Sequence, residues 1–171
     1  MLLALGASYA ESGFWGLALS LAPASLVVFA IWAMFYRPRV EVGEGKVLLI
    51  NVFRTFEVPI NAISRIDTRW ALTLFVAGKK YSAWGAVAPG RHTSFFATKD
   101  QGAHLPESSY LAGTIRPGDL VTTDSGAAAA TIRALWEPIR DQVDASAKVQ
   151  THWHTKTILV LVLLTALSLA L

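Results

Sequence analysis

Short runs of mostly apolar residues follow one another along residues 39–84, and turn-forming residues end each run. Val, Ile, Leu, Thr and Phe dominate the runs, and breaks fall at 43–45, 59–61 and 77–79. Runs of this length and composition are typical of antiparallel strands. We therefore predict a meander of six strands, near residues 39–42, 46–52, 55–59, 63–69, 71–76 and 80–84.

A second pattern, with apolar residues at every third or fourth position, follows near the end of this domain. It comprises Ile132, Leu135, Trp136, Ile139 and Val143. This spacing predicts an amphipathic helix over residues 127–149, capped by Ser125 and facing the sheet. Strands followed by one helix indicate an α+β fold, in which an antiparallel β meander or barrel is closed by a C-terminal amphipathic helix.

Residues 86–126 carry neither period and are rich in Gly, Pro, Ser and Thr. They predict a long mobile loop, with a short strand near residues 119–123. Loops of this length are usually either functional or disordered.

Two apolar runs without charged residues, 14–36 and 157–171, flank the domain. Residues 14–36 lack charge and are long enough to cross a hydrocarbon core of about 30 Å, although a buried core helix passes the same test. Residues 150–171 are interpreted as a second, short membrane helix, with a peripheral tail as the alternative. Residues 1–13 are interpreted as an extracytoplasmic segment or a partial helix.

Basic residues flank both runs on the side of the central domain, namely Arg37, Arg39, Lys148 and Lys156. By the positive-inside rule, residues 37–149 face the cytoplasm. The sequence thus predicts a multi-pass protein of the inner or plasma membrane.

Composition agrees with membrane segments. Apolar residues make up 53% of the 171-residue chain and charged residues only 16%, against roughly 25% in soluble domains. The absence of cysteine excludes disulfides and thiolate metal sites. Residues 37–91 hold nine basic and four acidic side chains. One face of the sheet therefore either meets something negative or is an ordinary soluble surface.

Strand parity predicts which residues meet at the membrane-proximal end of the sheet. Successive turns of a meander alternate between its two ends, and the first strand starts beside the first membrane run. The candidates for contact with lipid headgroups are Arg37, Arg39, Arg54, Arg69 and Trp70, with Phe53 and Trp84 among them. Lys79 and Lys80 go to the opposite end.

Several motifs in this region support a family resemblance. They are Arg54, the Val58-Pro59 step, Ile63, the cluster Asp67-Thr68-Arg69 and the run from Ala83 to Arg91. In this order they resemble the bacterial pleckstrin-homology (PH)-like domains of actinobacterial membrane proteins, grouped with the low-molecular-weight protein antigen 6 family. An aromatic residue often follows the Pro in such domains, whereas Ile60 stands here. The resemblance implies a PH-like fold without enzymatic activity.

Motifs for catalysis or cofactor binding are not found. No Gly-x-Ser-x-Gly occurs, and the Gly-x-Gly at 43–45 lacks the following helix of a phosphate loop. His152 and His154 form at most a weak metal pair and are better explained as a solvated flank. Trp84 and Trp136 are interpreted as core anchors rather than a ligand cage. We predict no catalytic residue, cofactor, metal or nucleic-acid partner.

Three functions compete at this point. The first is a membrane-anchored cytoplasmic interaction module that binds an unknown protein or peptide. The second is a sensor or adaptor of anionic lipid headgroups, supported by the basic sheet half. The third is an enzyme built on the loop 86–126, which only the length of the loop supports.

Overall fold

The computed structural model describes residues 19–43, 45–88, 119, 123–142, 144 and 147–170. The chain divides into two compact units. The sheet unit comprises Pro38–Trp153, and the helical unit comprises the segments before and after it. The sheet unit thus extends past the predicted boundary at residue 149, because one more strand follows that position.

The sheet unit is α+β, with two antiparallel sheets and a helix. Its strands are β1 (Arg39–Gly43), β2 (Lys46–Ile50), β3 (Arg54–Pro59), β4 (Arg65–Asp67), β5 (Ala71–Val76), β6 (Lys79–Val87) and β7 (Gln150–Trp153). Sheet 1 has the order β1-β2-β3-β7, and sheet 2 has the order β4-β5-β6. The first six strands lie close to their predicted positions.

The sheets are open and do not close into a barrel, which corrects the barrel version of the prediction. A 3₁₀ turn at Ile60–Ala62 separates β3 from β4, and β7 pairs with the second edge of β3. Since β7 occupies that edge, β4 cannot pair with it, and the meander splits into two sheets. Strand β7 also corrects the prediction of a membrane helix over residues 150–171, since Gln150–Trp153 are strand residues.

Two local features explain the hairpins. Burial alternates along β2, β3 and β5, as expected for strands with one face on a core. The β5–β6 turn places Ala77 and Gly78 at φ values of 47° and 76°. Two central residues with positive φ match the two-residue hairpin turn whose twist suits antiparallel strands.

The core lies between the two sheets and the helix. Its fully buried side chains include Val47, Leu49, Val58, Ile63, Leu72, Leu74 and Ile132. The sheets also approach each other directly at Gly85, where an added Cβ would lie 2.4 Å from the carbonyl oxygen of Pro38. Only glycine allows β6 to come this close to the start of β1.

Helix α2 (Asp124–Trp136) packs on the sheets but differs in detail from the predicted helix. Its N-cap is Thr123, whose side chain accepts a hydrogen bond from the Gly126 amide, and not Ser125. The helix ends before Pro138 and continues as a 3₁₀ helix over Glu137–Gln142, because proline cannot donate to the helical ladder.

The predicted apolar face of α2 is partly wrong. Ile132 is fully buried and Ile139 packs against the core, but Leu135 is 46% exposed. Arg133 is buried instead. Val143 and most of the predicted loop lie outside the described residues. Of the strand predicted near residues 119–123, only Asp119 and Thr123 are described. Strand β6 runs to Val87, past the predicted start of the loop at residue 86.

The helical unit contains α1 (Leu19–Tyr36) and α3 (Thr155–Ala170). Helix α1 is long and apolar enough to cross a membrane, by length and composition. Helix α3 has 16 residues, or about 24 Å, and falls short of that length. The prediction of two membrane spans is therefore not supported. Residues 1–13 lie outside the described part of the chain.

Candidate functional site

One end of the sheet unit collects basic and aromatic side chains. It is the end at which the chain enters the unit at Pro38 and leaves it at Trp153. We call this surface the rim and define it by Arg39, Phe53, Arg54, Arg69, Trp70, Trp84 and Trp153. All of these residues are exposed.

The register of sheet 1 brings three of these residues to the same end. Arg39 pairs with Ile50 at the end of β2, and the chain then turns into β3 at Arg54. Arg54 lies directly opposite Trp153 in β7. The guanidinium carbon of Arg54 is 5.5 Å from the ring centroid of Trp153 and 4.7 Å from that of Phe56. These cation–π contacts hold the charge of Arg54 among aromatic rings.

Asn51 connects the rim residues of the two sheets. Its side-chain amide donates to the carbonyl oxygen of Ser82 at 3.0 Å, and its side-chain oxygen accepts from the Trp84 amide at 2.7 Å. The turn between β2 and β3 is thereby fastened to β6. Trp84 consequently lies beside the turn that carries Phe53 and Arg54.

The turn between β4 and β5 lies at the same end of sheet 2. Ala71 pairs with Val87 near the end of β6, and the Ala88 amide donates to the carbonyl oxygen of Trp70 at 2.9 Å. Arg69 and Trp70 thus lie at the same end of sheet 2 as the end of β6, as strand parity predicts. Arg37 was also predicted for the rim but belongs to the helical unit.

Exposed apolar surface concentrates at this end. Among the described residues of the sheet unit, six large hydrophobic side chains are exposed: Phe53, Trp70, Trp84, Val87, Leu135 and Trp153. All except Leu135 lie at the rim end, and Trp70 is 76% exposed. Contiguous apolar surface on a folded domain marks a site of contact with a membrane or another protein.

The two predicted core tryptophans behave differently. Trp84 is 54% exposed, so its assignment as a core anchor is wrong. Its strand turns Ala83 and Ala86 toward the core and leaves Trp84 on the other side. Trp136 is partly buried against the core, and its indole nitrogen donates to the carbonyl oxygen of Ile63 at 2.7 Å.

Sequence reasoning missed Trp153 and Asn51 as parts of the rim. The signal for Trp153 was present in its position between a polar strand and an apolar run. Trp153 can be assigned to the rim only from the pairing of β7 with β3, which places it opposite Arg54. Asn51 had no such signal, because the groups that it bonds lie more than 30 positions away.

The outer face of sheet 1 carries a charged cluster away from the rim aromatics. Lys46 Nζ lies 2.8 Å from Glu57 Oε1, and His152 Nε2 lies 3.9 Å from Glu57 Oε2. The hydrogen bond from Lys46 is the main cause that lowers the pKa of Glu57, with a smaller contribution from His152. Within the described part of the chain, no group of three or more His, Asp or Glu side chains could hold a metal ion.

A buried ionic group was also missed. Arg133 donates from a guanidinium nitrogen to Asp119 Oδ1 at 2.8 Å, and the Thr68 hydroxyl donates to the same oxygen at 2.6 Å. Asp119 and Thr68 are fully buried and Arg133 is 3% exposed. With no access to solvent, this group connects Asp119 to α2 and to the segment that follows β4, and it has a structural role.

No protein-family model, curated protein or solved structure matches this chain.

Proposed function

We propose that the chain is a membrane-anchored, non-catalytic interaction module whose rim contacts anionic lipid headgroups. The observation that carries this proposal is the rim itself, where three arginines and four exposed aromatic residues share one end of the sheet unit. Tryptophan prefers the interface between hydrocarbon and water, and a cation near an anionic leaflet gains about 1 kcal/mol.

The location of the rim in the chain supports this function. Its first residue lies three positions after the end of α1, and its last residue lies two positions before the start of α3. If α1 crosses a membrane, the sheet unit is tethered at the end that carries the rim. The arginines that follow α1 favour the cytoplasmic side of the membrane, where anionic lipids are found.

We further propose that the sheet unit is a PH-like domain of the bacterial type. Two antiparallel sheets with a helix packed on them, and the motifs around Arg54, Pro59 and Asp67, support this assignment. The open sheets and the seventh strand after the helix are differences from the simple pattern of strands closed by a terminal helix.

A vesicle-flotation experiment tests the lipid proposal. The segment 38–153 is mixed with vesicles of phosphatidylcholine, with or without phosphatidylglycerol, at low and high salt. Arg54→Glu with Arg69→Glu removes two rim cations, and we expect at least about 30-fold weaker binding to anionic vesicles, from about 1 kcal/mol per cation. High salt should weaken binding by the unmodified segment.

Lys79→Glu with Lys80→Glu provides the matched control, because it changes charge equally at the opposite end of the sheet. We expect this pair to lower binding much less. Equal losses from both pairs, or no binding by the unmodified segment, would exclude the rim as a lipid contact.

A protein or peptide partner is the second candidate function, and one observation favours it. Arg65, Phe75 and Lys80 lie opposite one another across three strands of sheet 2. The charged groups of Arg65 and Lys80 lie 3.9 Å and 5.7 Å from the Phe75 ring centroid. Two cations around one ring form a surface complementary to an acidic peptide.

Binding of an acidic peptide to Arg65, Phe75 and Lys80 can be distinguished from binding of lipid to the rim. A labelled oligoglutamate peptide should bind the segment 38–153, and Arg65→Gln with Lys80→Gln should abolish the binding. The rim variants should leave it unchanged. Peptide binding that survives Arg65→Gln with Lys80→Gln would remove the basis for this second function.

A further inference from the structure

The helical unit carries an apolar groove of about 650 Å³ between α1 and α3. On α1 the groove is lined by Leu21, Ser25, Val28 and Trp32, among others. Their three- and four-residue spacing places them on one face of the helix. Leu164 lines the groove from α3. From Leu21 to Trp32 the groove follows α1 for about 16 Å.

The groove remains open to its surroundings. Val28 is 50% exposed and Trp32 is 46% exposed, so among the described residues neither side chain is fully covered. Ser25 and Ala24 are small and leave room between the bulkier residues on either side of them. On a helix long and apolar enough to span a membrane, a groove of this kind faces hydrocarbon.

A cation lies at one end of the groove. The guanidinium carbon of Arg37 is 5.8 Å from the Trp32 ring centroid. The same guanidinium donates to the hydroxyl of Thr157 in the first turn of α3. Both contacts lie within the helical unit, and together they hold the positive charge beside the Trp32 end of the groove.

We propose that this groove binds one acyl chain of an anionic phospholipid, with the phosphate of that lipid at Arg37. A long apolar groove that ends at a fixed cation is complementary to an amphiphile with an anionic head. A helix from a second copy would cover the apolar wall but would bring no phosphate to Arg37. The inference goes beyond the proposed function of the rim and requires only that α1 lies in a membrane.

Native mass spectrometry of the full-length chain in detergent tests the proposal. The chain is mixed with phosphatidylglycerol or phosphatidylcholine of identical acyl chains, and the retained lipids are counted. Val28→Trp fills the groove, whereas Val27→Trp is its matched control, since Val27 is 51% exposed and does not line the groove. We expect one phosphatidylglycerol on the wild type and on Val27→Trp, and none on Val28→Trp.

Substitutions of Arg37 test the proposed contact between its guanidinium and the phosphate of the lipid. Arg37→Gln should lower the affinity for phosphatidylglycerol about five-fold, the effect of one cation near a lipid surface, while Arg37→Lys retains the affinity. Arg140→Gln removes one charge from an exposed arginine outside the groove and the rim, and it should leave lipid retention unchanged. Equal losses from the two valine variants, no retained lipid, or a dimer that only Val28→Trp dissociates would each overturn the proposal.

Discussion

Replacing Asp119 with Ala tests whether the buried ionic group stabilises the sheet unit. In the native structure its carboxylate lies 2.8 Å from a guanidinium nitrogen of Arg133, whose side chain is 4% exposed. The substitution removes this carboxylate and leaves the guanidinium buried beside a cavity. The Thr68 hydroxyl also loses the acceptor that it bonds at 2.6 Å.

Two contributions set the magnitude. Removing one partner of a buried ion pair costs about 3–5 kcal/mol, because the remaining charge stays out of water. A lost hydrogen bond to a charged group alone accounts for about 1.5–3 kcal/mol. Since a domain of this size is stable by only about 5–15 kcal/mol, Asp119→Ala should destabilise it severely. Asp119→Asn keeps the shape and one acceptor, and should cost less.

The double variant Asp119→Leu with Arg133→Met should recover much of that loss. Asp119 Oδ2 is buried and has no hydrogen-bond partner among the described residues, so the ion pair offsets only part of the free-energy cost of removing its charges from water. Apolar replacement of both partners of such a pair is often neutral or stabilising.

Urea unfolding of the segment 38–153, followed by tryptophan fluorescence, measures these differences. A loss below about 1 kcal/mol for Asp119→Ala would refute the reasoning. So would a double variant that is as unstable as the sum of its single changes, because the two side chains would then act independently.

Three further predictions concern the sheet unit. Trp136→Phe should lower the unfolding free energy of the unit by about 1 kcal/mol, the net value of the indole hydrogen bond to Ile63. Trp136→Ala should lower it by up to about 3–5 kcal/mol, because the buried ring is lost as well. Equal losses for the two variants in urea titrations would mean that the hydrogen bond contributes nothing. Gly85→Ala should cost about 1–3 kcal/mol, because its Cβ meets the Pro38 carbonyl; an unchanged urea midpoint would contradict the close approach. The lowered pKa of Glu57 means that folding favours its charged form, so its contribution to stability is complete above its ordinary unfolded pKa and is lost as the pH falls through the lower folded pKa. Glu57→Gln should make the melting temperature depend less on pH in this acidic range, and an unchanged dependence would exclude the cluster as a cause.

Local patterns in the sequence determined the hairpins and the main helices. Apolar-rich runs such as those of β2 and β5, and turn residues such as Gly45 and Gly78, act over a few neighbouring positions, so β1 to β6 could be predicted to within a few residues. The existence of α2 followed from its periodicity in the same way. Because strand direction reverses at each turn, parity alone placed Arg54, Arg69 and Trp70 at one end.

Tertiary structure alone decided the rest, because the deciding contacts join distant segments. Strand β7 has four exposed residues and no apolar alternation, and it exists because β3 offers it a free edge. The sequence predicts Trp84 as a core residue, but Ala83 and Ala86 are the buried residues of this part of β6 and Trp84 is exposed. From the sequence alone, Arg133 would be expected on the surface. It is buried because Asp119, 14 positions earlier in the chain, supplies the opposite charge.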